Sequence, residues 1–289
     1  MSISKRLITL LLVVTSTTAT FAQVARQSFN RQSFWTETVV NGAITGKFKW
    51  QVDLQYRRMS DASNALNPSG NIFKNAYQHV YRPWLNYQLN DNVRLSLSPI
   101  GFWETFTPEA EVSTHVRKMQ PEFRVCPQIT LTNKFGRLTI DQRYRYEQRY
   151  VGTNVVDSKH SEFGYNAGMD FPAGGKKGRM RYMVRATLPL GNHQKLEDKT
   201  FYLIAWNELF IGTGSQTITE KIWDQNRTFC LLGYKPKMSV PMRFELGYGF
   251  QFANRYKAGT TPVNMVENNN ILQVYVIFEN FNKIFSAKK

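Results

Sequence analysis

The chain has 289 residues, with 37 Lys and Arg against 21 Asp and Glu, a formal charge of +16 and a mean hydropathy of −0.42. No segment offers the roughly 18 consecutive apolar residues that a membrane helix needs, which excludes a helical membrane protein. A basic balance of this size raises nucleic acid as a partner, but the first residues argue against it.

Lys5 and Arg6 precede the apolar run at residues 7–14, and small residues follow through Thr20 and Ala22. This is the pattern of a secretory signal peptide at residues 1–22, leaving 23–289 as the mature domain. An exported basic chain meets no nucleic acid. It meets lipopolysaccharide phosphates, anionic saccharides or small anionic solutes, all drawn by the same long-range field. Surplus lysines such as Lys176 and Lys177 also have a plainer use in solubility or lipid contact.

From there the dominant signal is alternation with a period of two in segments of about ten residues, the strand pattern of an outer-membrane barrel. Residues 33–40, SFWTETVV, start it. In residues 48–57, Phe48, Trp50, Val52, Leu54 and Tyr56 share one face, while Lys49, Gln51, Asp53, Gln55 and Arg57 share the other. Residues 242–252 repeat the register: Phe244, Leu246, Tyr248 and Phe250 oppose Arg243, Glu245, Gly247 and Gly249.

Connections alternate in length. Residues 90–92 and 133–136 are tight turns, whereas 60–71, 107–117 and 152–178 are long. Short turns belong to the periplasm and long loops to the outside. Upward strands then fall at 47–58, 93–106, 137–151, 200–212 and 241–253, and downward strands at 76–89, 119–132, 179–190, 223–234 and 270–281. Residues 33–40 make an eleventh candidate. Closed single-chain bacterial barrels usually have an even number of strands, so either this segment does not span or a partner hides in residues 23–32 or 164–171. The fold expected is all-β: a single antiparallel transmembrane barrel of about 10–12 strands.

A soluble sandwich also alternates, and the aromatics separate the two. Trp50, Tyr56, Tyr81, Trp84, Tyr87 and Trp103 fall toward strand ends, as interfacial girdles require.

In LTIDQRYRYEQRYVG, residues 138–152, Arg143, Arg145, Glu147 and Arg149 occupy alternate positions, and Tyr144, Tyr146 and Tyr150 lie between them. An Arg facing lipid costs about 2–4 kcal/mol at the bilayer midplane, so the charges must face the lumen. Two features break the pattern. Gln142 shares the tyrosine face, and Phe229 and Leu231 share parity with Gln225 and Arg227. A bulge near Asn226 or Arg227 would restore the second.

The strand directions bring Arg143, Arg145, Glu147 and Arg149 beside Arg179, Arg181 and Arg185, with Glu208, Asp224 and Arg227 on the strands that follow. Elsewhere inside, Lys49, Arg57, Arg82, Arg94, Arg124 and Arg243 are matched by Asp53, Glu104, Glu122, Asp141, Glu245 and Glu279. Two readings stay open. Bidentate Arg–carboxylate pairs plug the lumen of a non-conducting structural or partner-binding barrel, or the guanidiniums form a narrow constriction that favours anions.

An enzyme is a remote alternative. Of the four histidines, His79 has lipid-facing parity, His115 and His160 lie in long loops near Ser113, Ser158 and Ser161, and His193 lies in a turn. None has the nucleophile and orienting partner of a hydrolase. Metal-ligand spacing and phosphate cradles are missing, so no catalytic residue, metal or cofactor is assigned. Cys126 and Cys230 fall on strands that are not neighbours and are expected to be free.

RYRYEQR at 143–149, WNELF at 206–210, DQNR at 224–227 and ELGY at 245–248 together resemble the recurrent blocks of the domain-of-unknown-function 2490 family, over about residues 34–281. The resemblance implies a barrel of unassigned function in the outer membrane of Gram-negative bacteria. It adds lipid, lipopolysaccharide and the barrel-assembly machinery as partners, and it implies no catalytic residues.

Overall fold

The computed structural model describes residues 26–107, 118–152, 155–156, 171, 176–213, 222–256 and 264–282. The signal-peptide segment, His115, His160 and the three loop serines lie outside the described residues, as does 164–170.

All regular structure among the described residues is strand. In chain order the strands are β1 (Arg26–Thr45), β2 (Phe48–Met59), β3 (Asn75–Gln88), β4 (Val93–Thr107), β5 (Lys118–Phe135), β6 (Leu138–Val151), β7 (Val155–Val156), β8 (Lys176–Pro189), β9 (Thr200–Thr213), β10 (Trp223–Lys235), β11 (Met242–Tyr256) and β12 (Asn264–Phe278). The long strands pair in sequence, β4 pairs with β5, and β1 pairs with β12, so the sheet closes. The two-residue β7 only adds to the edge of β5.

Eleven long strands make the barrel, and an odd ring of up-and-down strands must contain one parallel pair. That pair is β1 with β12, in register from Arg26 opposite Asn264 to Val40 opposite Phe278. The expectation of an even count is therefore corrected: residues 33–40 lie inside a full-length strand of 20 residues. The last strand also begins earlier than 270–281 and ends at Phe278.

The shortest connections, at 46–47, 89–92 and 136–137, lie at one end of the barrel and the longest, which include 60–74, at the other, although 190–199 at the first end is longer than 257–263 at the second. Gly46 and Gly136 turn the two tightest connections at φ of 49° and 59°, a left-handed conformation open to glycine at no steric cost.

The two faces differ sharply. Leu54, Leu97, Ile129, Leu203, Leu246 and Tyr248 stand exposed on the outside, while Asp53, Arg82, Glu147, Glu208 and Glu245 are buried inside. Gln142 remains outside among apolar neighbours, and the hydroxyls of Tyr144 and Tyr182 both donate to its carbonyl at 3.3 Å. Its polarity is met locally.

Two irregularities alter the expected parity. The β4 register shifts between Ser98 and Gly101, so Trp103 turns inward and Glu104 outward. Glu104 accordingly leaves the set of lumenal carboxylates and lies 2.9 Å from His79 Nδ1, its cross-strand neighbour. In β10 the shift falls between Trp223 and Gln225, ahead of the place expected, so Phe229 and Leu231 point inward with Arg227.

Those rings have a floor made for them. A Cβ on Gly249 would lie 2.2 Å from Phe229 Cδ1, and one on Gly233 would lie 2.2 Å from Tyr202 Cζ. Side-chain-free positions on β10 and β11 thus admit an apolar cluster of Trp35, Tyr202, Ile204, Trp206, Phe229 and Leu231 inside the barrel. Trp84 and Trp103 also point inward, buried with Cys126, which corrects their assignment to an outer girdle. Cys126 and Cys230 are both free.

Candidate functional site

The alternation of β6 places Arg143, Arg145, Glu147 and Arg149 on one face, and its register with β8 sets Glu147 opposite Arg179 and Arg145 opposite Arg181. Two arginines directly opposed repel each other unless an acid lies between them. Glu147 fills that place, with no exposed surface. Its carboxylate accepts from Arg181 at 2.6 Å, Arg179 at 2.6 and 2.9 Å and Arg124 at 3.2 Å, with Arg145 at 3.9 Å.

The network continues in both directions. Glu122 accepts from Arg124 at 2.7 Å and also from Arg149, while Asp224 accepts from Arg179 at 2.9 Å. Glu208 accepts from Arg181 at 2.6 and 3.0 Å and from Arg143 at 2.6 Å. Separately from this network, Arg185 reaches Glu245 at 2.7 Å, a chord from β8 to β11 across two intervening strands. Bidentate guanidinium–carboxylate pairs of this kind fix direction as well as distance.

A second group of arginines is held differently. Arg57 donates to Gln55 at 2.6 Å and Gln78 at 2.8 Å, Arg145 to Gln128 at 2.6 and 2.8 Å, and Arg227 to Gln225 at 3.0 Å. A guanidinium can only donate, so each glutamine must present its carbonyl oxygen. These amides orient the cations without neutralising them. Each cation also lies over a ring: Arg57 over Trp35 at 4.0 Å, Arg227 over Phe210 at 4.6 Å and Arg145 over Trp84 at 4.7 Å.

Between these walls lies a cavity of about 680 Å³. It extends from Asn41, Arg94 and Ile277 near the short-connection end to Gln120, Asp224 and Asn254 near the other. Twelve arginines line it, against six carboxylates on its wall and two more, Glu147 and Glu245, buried among the guanidiniums they pair with. Among the described residues, arginines thus outnumber carboxylates around this cavity.

All ten residues singled out by parity face this interior. Arg143, Arg145, Glu147, Arg149, Arg179, Arg181, Glu208 and Asp224 join one ion network, Arg185 belongs to a second one through Glu245 and Arg243, and Arg227 stands apart from both against aromatic rings. Sequence reasoning missed Trp35, Trp206 and Phe210 as interior residues. A signal existed: Trp35 shares parity with Glu37, and Trp206 and Phe210 flank Glu208 at alternate positions. It also missed the glutamines that hold Arg57, Arg145 and Arg227, since neutral amides carry no charge pattern.

No curated protein and no solved structure matches the chain. Residues 32–261 match the family model described as protein of unknown function (DUF2490), and the match takes in every strand that carries the arginine network. The chain belongs to that family.

Proposed function

We propose that the protein is an integral outer-membrane barrel whose interior passes small anionic solutes. The observation that carries the solute preference is the cavity lined along the barrel by twelve arginines, against six carboxylates on its wall and two buried behind it. Guanidinium groups recognise carboxylate and phosphate in planar, two-pronged geometry, and a lumen of one charge sign selects the opposite ion.

Two features support the membrane location. Leu54, Leu97, Ile129, Leu203 and Leu246 stand exposed around the outside, and contiguous apolar surface on this scale is unusual for a soluble monomer. The long strands have 12 to 20 residues, enough for the 9–11 tilted residues that cross a bilayer. Short connections then face the periplasm, long ones face outward with lipopolysaccharide around them, and insertion uses the barrel-assembly machinery. No catalytic role and no cofactor are part of this proposal.

A second reading is favoured by the chords: Arg185–Glu245 and Arg143–Glu208 tie non-adjacent strands together, as a closed, load-resisting barrel with a partner-binding exterior would require. Planar-bilayer recording separates the two. The pore reading expects conductance with a reversal potential favouring anions, and Arg94→Gln with Arg145→Gln should lower that preference without removing an ion pair shorter than 3.9 Å. Absence of conductance from the folded protein leaves the closed barrel, and a cation preference contradicts the anion reading.

A further inference from the structure

Two of the amide-held arginines share one ring. Trp35 on β1 lies under Arg57 at 4.0 Å and under Arg227 at 4.9 Å. Arg57 is the register partner of Trp35 on β2, while Arg227 reaches it from β10 across two intervening strands. Both arginines lie near the long-connection ends of their strands.

Among the described residues, neither Arg57 nor Arg227 has a carboxylate within ion-pair distance; their side-chain hydrogen bonds go to Gln55, Gln78 and Gln225. Glu37, the next inward residue on β1, makes no ion pair with either. The indole Nε1 of Trp35, whose residue is 2% exposed, has no hydrogen-bond partner, nor does Arg227 Nε. Every unused polar group on these three side chains is a donor, and Trp35, Arg57 and Arg227 all line the cavity.

Glu37 and Glu208 act on Arg57 and Arg227 only from beyond ion-pair distance; a buried cation with no directly bonded counter-charge is costly, as is an unmet N–H, and both costs fall when an acceptor anion sits between them. The geometry points to an oxyanion-recognition subsite formed by Arg57, Trp35 and Arg227. A compact carboxylate or phosphate group accepts from the two guanidiniums and from the indole N–H. The glutamines hold the forks in place before the anion arrives, which lowers the ordering cost of binding. This rests on the reading of the interior as a path for anions and gives that path a specific stopping point near its outer mouth.

The test is calorimetric titration of the purified full-length barrel in detergent, at low ionic strength, with inorganic phosphate and separately with citrate. Saturable binding of at least one is expected, and the tighter of the two assigns the headgroup as phosphate or carboxylate. Arg227→Gln should weaken it by about tenfold or more, as loss of a charge-assisted hydrogen bond implies. Trp35→Phe keeps an aromatic face for the two cations but removes the indole donor together with the five-membered ring, and should weaken binding several-fold with unchanged heat-modifiable gel migration. Lys195→Gln, which removes one positive charge from the exposed connection after β8 outside the cavity, should leave affinity within about twofold. Absence of saturable binding, or equal weakening by Lys195→Gln and Arg227→Gln, overturns the subsite and leaves only diffuse attraction. Binding without conductance keeps the subsite and removes the pore; conductance without saturable binding does the reverse.

Discussion

Glu147→Gln is the substitution that bears hardest on the interior network. Glu147 is fully buried, and four arginines converge on its two oxygens at 2.6 to 3.9 Å. Glutamine has nearly the same shape but replaces one acceptor oxygen with an NH₂ that can only donate, facing guanidiniums that also only donate. Each charge-assisted hydrogen bond is worth about 1.5–3 kcal/mol, and removing one partner from a buried ion pair costs about 3–5 kcal/mol. Arg124, Arg179 and Arg181 each keep a second carboxylate, Glu122, Asp224 and Glu208 respectively, so the losses do not sum over all the bonds. A net loss of about 3–5 kcal/mol follows, a large share of the roughly 5–15 kcal/mol that holds an ordinary domain together. Urea unfolding of the reconstituted barrel, followed by tryptophan fluorescence, measures it. Glu279→Gln supplies the contrast: its side chain is 27% exposed and pairs with Arg243 and Lys235, so it should cost under about 1 kcal/mol. A Glu147→Gln barrel within about 1 kcal/mol of the parent would refute the view that this carboxylate anchors the arginines.

Gly249→Ala sets a Cβ 2.2 Å from Phe229 Cδ1, and overpacking of this kind should destabilise by about 1–3 kcal/mol in the same urea assay. The loop after β2 carries a pH-sensitive clamp. Burial raises the Asp61 carboxyl, but hydrogen bonds from the Lys74 and Asn75 side chains and the Ser69 amide outweigh it and hold the group below its ordinary range. Because the folded value is depressed, this contribution is fully present above the ordinary aspartate range near pH 3.9 and is lost as pH falls through the folded value. Asp61→Asn should therefore increase proteolysis of residues 60–74 at neutral pH, and acid should do the same to the parent protein. An epitope placed just before Arg26 should be reached by antibody on intact cells and one at Gly191 should not, because β1 starts at the long-connection end and Gly191 lies at the other. Equal labelling of both would contradict the assigned orientation.

The period-two pattern was enough to read residues 48–57 of β2 and 242–252 of β11 face by face, because both stretches are regular and their charges all fall on one side. It also brought the arginines of β6 and β8 together, since burying a charge on the apolar side would cost more than any local preference gains. Parity failed where the chain gains a residue, at the β4 shift after Ser98 that sends Glu104 outward, because a bulge leaves no mark in composition. Inward rings were misread for a different reason. Trp84 and Trp103 look like membrane anchors only if aromatics are assumed to seek the interface, whereas here they carry the guanidiniums of Arg82 and Arg124. The parallel closure of β1 on β12 depends on the parity of the whole strand count, which no single segment can reveal.

The central claim is that the exterior contacts hydrocarbon while water and paired ions occupy the interior. Spin labels on single cysteines at neighbouring positions test it in lipid vesicles: Leu54 against Gln55 on β2, and Ile129 against Thr130 on β5, where the first of each pair is exposed outside and the second lines the cavity. Oxygen dissolved in lipid should relax the labels at 54 and 129, and a water-soluble nickel chelate should reach only those at 55 and 130. Chelate access to 54 and 129, with no oxygen enhancement there, would contradict the account.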